Sequence, residues 1–397
     1  MQKIELRPGF YYIGVVDHSL KLFDVAILTE DGTSYNSYLL KTKEGVVLFE
    51  GCRKEYQDEY FEHIEEIASL EEVKYLFVSH TEPDHSGSIK ELLNRNPNIT
   101  IVASAAALKN LDAILRVPFN RLPMNPASPL SFGGYTFSFV SGSFLHWPDV
   151  MFTYIPELKV LVSCDAFGAH FASDAILLSK EKNKEGYVAA LRYYFACIMG
   201  PFAKFVTAAC DRVEKLDIDM ICPGHGPIID VGVQKQIDLY RSLADEWTSV
   251  NDPNKVTIVY ASAYGYTKEM ASYLAKRFEK DGKTVHLYEI DALNYGAQKE
   301  KILSSILKSG TLLLGSPTIA GDAVCLFYEL LSHVLTTTGP GKKASVFGDY
   351  GWSGEAIKNL SERLAQLRFN VLPGFRYAFA LDKEGETALS AYYDSLK

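Results

Sequence analysis

The sequence predicts a two-domain α/β chain, with a first part that opens as an antiparallel sheet and a last third built as a doubly wound parallel sheet. Three observations lead there. The 397 residues exceed what one ordinary core holds. Short β-type runs separated by turns fill the first fifty residues. After a polar, Pro-containing break at Asn251-Asp252-Pro253-Asn254, apolar strands alternate with helical segments in βαβ order. The predicted domains are therefore 1–250 and 255–397.

In the first domain the expected strands are Phe10–Val16, Val25–Thr29, Ser37–Lys41 and Gly45–Phe49, with Asp31-Gly32 as a hairpin signal between the second and third. Tyr56–Leu70 carries apolar residues at helical spacing, and Lys74–Ser79 reads as a buried strand. Ile99–Ala103 is expected as strand, Ala105–Leu115 as helix and the Pro- and Asn-rich Leu122–Leu130 as loop. Tyr135–Val140 is a further strand, and Met151–Ile155 with Lys159–Val162 forms a hairpin. Residues 187–215 and Val231–Trp247 are helical by pattern, with a short strand at Asp219–Cys222. In the second domain Val256–Ala261, Thr284–Ile290, Leu312–Gly315 and Ala344–Gly348 are the apolar strands.

Composition narrows the function. A formal net charge of -9 argues against nucleic acid as a partner, because phosphate binding needs a basic face. No apolar run is expected to reach the length that spans a bilayer, and the N-terminus has no signal-peptide core, so a cytoplasmic protein without membrane contact is expected. The six cysteines form no CxxC pair and read as reduced and structural.

Chemistry concentrates in His80-Thr81-Glu82-Pro83-Asp84-His85, where four metal-capable side chains fall within six residues at a strand-to-helix loop. A lone histidine on a loop is usually just solvated; four convergent candidates are a different matter. His, Glu and Asp together suit first-row divalent metals, and the carboxylate share tilts the preference away from zinc. His146, Asp165 and His225 also follow β-type runs and complete a set of seven. In the second domain, Ser262-Ala263-Tyr264-Gly265-Tyr266-Thr267 precedes a helix and suits an anion at its N-terminus. Ser316-Pro317-Thr318-Ile319 and Gly348-Asp349-Tyr350-Gly351-Trp352-Ser353-Gly354 also end strands, so three loops can share one ligand, with Tyr350 and Trp352 as flat faces. The lack of GxGxxG speaks against a built-in FAD or NAD site.

The order HxExDH, LHWPD, CDAFG, PGHG resembles the metallo-β-lactamase fold, with Glu82 where its hydrolases carry His. Joined to the second domain, the pattern resembles the flavodiiron proteins, or A-type flavoproteins, over essentially the whole chain. The resemblance implies an αββα sandwich with a diiron site and a five-stranded flavodoxin-like domain with FMN. It implies that His80, Glu82 and His146 hold one iron, Asp84, His85 and His225 the other, with Asp165 bridging. Three carboxylates then nearly neutralise a diferrous pair. His170, Tyr193 and Tyr194 are candidates to line the substrate pocket. Some family members carry a histidine near the substrate where Asp24 stands here; His18 lies close in sequence but does not match. A carboxylate at Asp349, near the flavin, is expected to lower its potential. The implied activity is reduction of dioxygen to water, or of nitric oxide to nitrous oxide, with electrons from a separate rubredoxin or a reduced deazaflavin. The implied assembly is a head-to-tail homodimer or a dimer of dimers. The alternative is a dizinc hydrolase with a flavodoxin-like regulatory module; Glu82 and the three flavin loops argue against it.

Overall fold

In the computed structural model, which describes residues 4–248 and 251–397, the chain divides into two units, Met1–Asp245 and Glu246–Lys397. The first unit contains two large sheets. One runs in the order Ile4–Arg7, Phe10–Tyr12, Tyr38–Thr42, Gly45–Phe49, Val73–Val78, Thr100–Ala103, Asn120–Pro123, antiparallel at first and parallel from Gly45–Phe49 onward. The other runs Leu130–Phe132, Tyr135–Ser141, Met151–Ile155, Val160–Cys164, Met220–Pro223, with only the last pair parallel.

Strand alternation makes this a sandwich. Leu39, Leu48, Leu76 and Ile101 pack outward on Ile64, Leu92 and Leu111 of the helices Gln57–Glu65, Ile89–Arg95 and Ala105–Leu115. Their neighbours Leu40, Val47, Phe49, Phe77 and Val102 face inward, onto Phe137, Phe139, Val160 and Val162 of the second sheet. Helix Ala105–Leu115 starts where Ser104 accepts a bond from the Ala107 N–H and stops at Arg116 in a left-handed conformation.

The second unit is one parallel sheet in the order Thr284–Glu289, Asp252–Tyr260, Ser309–Gly315, Lys343–Tyr350, with its last position filled by Asn370–Val371 and Phe375–Ala378. The five expected strands thus become six, because Pro373, which has no N–H to donate, interrupts the last one. The two faces carry separate cores, around Leu314, Phe327 and Leu360 and around Ile258, Leu274 and Tyr393.

Several expected elements differ. Phe10–Val16 is two strands, Phe10–Tyr12 and Val15–Asp17. The chain breaks at Gly14, where a Cβ would lie 2.5 Å from the Tyr35 carbonyl oxygen. Asp31-Gly32 does not join the second expected strand to the third. It leads into Thr33–Tyr35, which pairs with Val15–Asp17. Val25–Thr29 shrinks to Ile27–Leu28, paired with Leu22–Phe23 across a turn in which Asp24 and Val25 both have positive φ. Leu122 and Leu130 lie in strands, so only the residues between Pro123 and Leu130 are loop. Asp252-Pro253-Asn254, read as a break, belongs to a strand with a register shift between Asp252 and Val256. One helical stretch, Lys184–Val213, is long and apolar enough by length and composition to cross a membrane. Half of its apolar window is buried, and Leu191, Tyr194 and Met199 use that apolarity in packing.

Candidate metal centre and flavin loops

Strands of both sheets deliver the seven candidate ligands to one edge of the sandwich. His80 follows Val73–Val78, and Glu82 precedes the short helix Pro83–Ser86. Pro83 fits that helix's first position, where no N–H is needed, and the turn carries Asp84 and His85 inward. Asp165 follows Val160–Cys164 in a tight turn, with Cys164 and Phe167 in the left-handed region. His225 follows Met220–Pro223 across Gly224, where a Cβ would lie 2.7 Å from Cε1 of His85. No larger residue fits there.

The side chains form two adjoining groups, His80 with Glu82, His146 and Asp165, and Asp84 with His85 and His225. Glu82 Oε2 lies 3.1 Å from His80 Nε2 and 3.0 Å from His146 Nε2. Asp84 Oδ2 lies 3.2 Å from His225 Nε2 and 3.5 Å from His85 Nε2. Asp165 faces both groups. Its Oδ2 is 3.5 Å from His80 Nε2 and 3.4 Å from His146 Nε2, while its Oδ1 is 3.0 Å from His85 Nε2 and 3.4 Å from His225 Nε2.

Outer bonds aim the rings. His80 Nδ1 donates to Asp149 Oδ1 at 3.0 Å, and His225 Nδ1 donates to the Ser34 carbonyl at 2.6 Å, which leaves both Nε2 lone pairs turned inward. Electrostatics match. Burial alone would lower His146 and His225, but the adjacent Asp165, with Glu82 for His146 and Asp84 for His225, pushes them up to about 9 and about 10. Burial would raise Glu82, yet bonds from His146 and His80 hold its carboxyl well below the usual range. Without a cation the site is a set of buried acids balanced only by protons. Both oxygens of Asp84 and Oδ2 of Asp165 are buried with no hydrogen-bond partner among the described residues, an expensive condition that a pair of cations relieves. The donor set fits iron: hard oxygen and imidazole nitrogen ligands, shared through one carboxylate.

His170 sits beside His225, ring centroids 5.1 Å apart, with Nδ1 3.0 Å from the Thr33 hydroxyl and Nε2 unpartnered. Burial and the neighbouring His225 lower its pKa to about 3, so it is neutral. Tyr194 is buried, its ring 4.9 Å from that of His170, and its hydroxyl has no partner among the described residues. Tyr193 is half exposed and engages Cys197 and the Leu28 backbone. Asp24 approaches the cluster; burial and then the charges of Glu82 and Asp84 raise it to about 6. His18 pairs instead with Asp174 at the surface, at 2.8 Å. The sequence reading did not find Glu50 or Asp149. Glu50 ends an apolar strand with no local signal; it is fully buried, and both its oxygens accept from the Ser79 N–H. Asp149 stands inside LHWPD, but only its contacts reveal its part.

In the second unit the three loops follow neighbouring strands and are knit at Asp349. Its carboxylate accepts from the Thr267 hydroxyl, and its carbonyl accepts from the Thr318 N–H at 2.9 Å. Ser262 Oγ accepts from the Gly265 and Lys268 N–H groups and shapes the turn into helix Tyr266–Lys280. Gly348 is required where it stands, since a Cβ there would overlap the Ser316 carbonyl. Ser316 is fully buried and Pro317 buried, whereas Tyr264, Ile319 and Trp352 stand well exposed. Ala263, Tyr266, Tyr350, Gly351 and Ser353 complete the loop surface, and Gly354 is buried beneath it. A first-turn anion site flanked by exposed rings fits a phosphate-bearing aromatic cofactor.

Residues 33–226 match the family described as ODP family beta lactamase, and residues 258–390 match Flavodoxin. The type A flavoprotein fprA of Rhodobacter capsulatus is 32% identical over 380 residues, covering 94% of this chain and 86% of the relative. The flavo-diiron protein FprA2 of Clostridium acetobutylicum is 33% identical over 387 residues, covering 96% and 95%. Among solved structures, the rubredoxin oxygen:oxidoreductase of Desulfovibrio gigas superposes with a TM-score of 0.71 at 26% identity, covering 100% of this chain and 98% of that one. The flavodiiron protein of Giardia intestinalis gives 0.70 at 26%, covering 100% and 95%.

Fold and site together define an oxidoreductase in which a β-lactamase-type sandwich with a dinuclear metal cluster is joined to a flavodoxin domain. The chain belongs to the flavodiiron, or type A flavoprotein, family. Its cofactors are accordingly FMN and a pair of non-haem irons.

Proposed function

We propose that this protein reduces dioxygen, nitric oxide or both at an iron pair held by the seven clustered side chains. His80, Glu82 and His146 hold one iron, and Asp84, His85 and His225 hold the other. The observation that carries the reading is Asp165, whose two oxygens face separate imidazole pairs, as a bridging carboxylate must. When bound, FMN supplies single-electron transfer and the irons supply binding and reduction of the gas.

The chain's own residues do the positioning. Asp149 and the Ser34 carbonyl fix the tautomers of His80 and His225. His170 and Tyr194 wall the cluster, and the Tyr194 hydroxyl, which has no hydrogen-bond partner among the described residues, donates to the substrate. Loops 262–267, 316–319 and 348–354 hold FMN, with the phosphate at the N-terminus of Tyr266–Lys280. Electrons come from an external donor of rubredoxin type, and the active assembly is a head-to-tail homodimer that pairs the flavin loops of one protomer with the metal cluster of its partner. The fused flavodoxin unit supports the flavin relay, and the name of the rubredoxin oxygen:oxidoreductase of Desulfovibrio gigas supports the type of donor. The test is metal and flavin analysis, followed by steady-state consumption of each gas with the same chemically reduced donor. Iron, FMN and turnover of either gas are expected; zinc in place of iron, or turnover of neither gas by the loaded protein, sinks the reading.

A further inference from the structure

The first unit has a cavity of about 570 Å³ between Arg7, the Lys41–Lys43 hairpin and the Gly133-Gly134 turn. None of its residues belongs to the metal cluster. Its charge runs against that of the chain. The protein carries a net charge of -9, yet this cavity gathers Arg7, Lys41 and Lys43 against the single carboxylate of Glu157. That carboxylate is already used, with both oxygens accepting from the Thr136 N–H at 3.0 Å. Among the described residues none of the three cations is in an ion pair.

Exposed lysines alone would mean little, since a solvated basic side chain needs no ligand. Arg7 is different. It is half-buried, and the register shift between Glu5 and Arg7 re-aims it at the edge of the sheet. Among the described residues, one of the guanidinium's five N–H groups is used, on the Leu6 carbonyl at 3.0 Å. Across the cavity, Gly133 and Gly134 both have positive φ; Gly133 is packed against the Thr42 side chain, but a Cβ on Gly134 would meet nothing within 4 Å, so the backbone there is open to the cavity. Tyr135 and Leu158 add apolar wall. The volume is that of a small-molecule site.

We propose that this cavity binds a phosphate-bearing small molecule of nucleotide size. Arg7 takes the phosphate through its planar fork, Lys41 and Lys43 neutralise the remaining charge, and the ring of Tyr135 covers the organic part. The test is calorimetric titration of the full chain loaded with iron and FMN, at low salt, with AMP and separately with pyrophosphate. The flavin phosphate site is then filled and does not capture the probe. Saturable binding of either anion, weakened at least about tenfold by Lys41→Ala/Lys43→Ala and more by Arg7→Gln, upholds the site. AMP bound much more tightly than pyrophosphate identifies the ligand as a nucleotide; the reverse order identifies an inorganic or condensed phosphate. The lysine pair is exposed and decides the matter even if Arg7→Gln fails to fold. No binding of either anion up to about 5 mM, or binding that the lysine substitutions leave unchanged, overturns the proposal.

Discussion

Replacing Asp149 with Asn isolates the part that an outer residue plays in metal binding. The Asp149 carboxylate is fully buried and takes donors from four groups: His80 Nδ1–H at 3.0 Å, the Thr81 N–H at 3.0 Å, the Thr81 hydroxyl and, at 3.5 Å, the Asn110 side-chain amide. Those bonds, against the cost of burial, hold it below its ordinary range. An amide of the same shape keeps one acceptor oxygen, and its NH2 must face a donor. Losing one hydrogen bond to a charged acceptor costs about 1.5 to 3 kcal/mol. Spent on the tautomer of His80, that is about ten- to a hundredfold in iron affinity. The loss should fall on the iron beside His80 and Glu82 and spare the one beside Asp84 and His225. Iron competition against a graded chelator, with Mössbauer spectra of partly loaded protein, reads both quantities. The unfolding midpoint of the metal-free variant separates loss of affinity from loss of fold. A variant that keeps both irons within about twofold of wild-type affinity would falsify the claim that Asp149 sets the ring.

Other outcomes follow from the same geometry. Asp165→Asn removes the carboxylate that, alone among the described residues, faces both imidazole pairs; both irons should be lost or their magnetic coupling abolished, which EPR of the mixed-valence state reads, and an unchanged signal would exclude the bridge. Metal-free protein should lose stability with rising pH. His146 and His225 have pKa values raised above 6.5 to about 9 and about 10, so their stabilisation is present below the ordinary value and gone above about pH 10, whereas iron-loaded protein should not follow this course; thermal unfolding of both forms across that range decides. Asp349→Ser should raise the FMN reduction potential by removing a carboxylate from the flavin loops, less than a free carboxylate would because the Thr267 hydroxyl already donates to it; an unmoved potential removes that role.

The candidate metal ligands stand out in the sequence because the chain writes them close together at the ends of apolar strands. Four of the seven fall in residues 80–85, and the other three sit in loops after β-type runs. The residues that aim them were not legible. Asp149 meets His80 across 69 residues and the Ser34 carbonyl meets His225 across 191, and no local pattern marks either partner. Backbone carbonyls carry no sequence signature at all. The hairpin error had a similar source: Asp31-Gly32 looks like a turn between its neighbours, but pairing with Val15–Asp17 across the unit decides the register. Tyr193 and Tyr194 could not be told apart by type, yet adjacent helix positions point about 100° apart, so one is buried by His170 and the other is half exposed.

By itself the sequence determined which atoms were available: acids and imidazoles at strand ends, an anion-ready helix start, and an apolar alternation that had to make two kinds of sheet. Only the tertiary structure decided which of those atoms meet. Strands from two sheets, distant along the chain, bring Asp165 between four imidazoles, and long-range hydrogen bonds set which ring nitrogen faces inward. The physical reason is that ligand identity is a local covalent fact, whereas coordination depends on distances fixed by packing between segments that share no sequence neighbourhood.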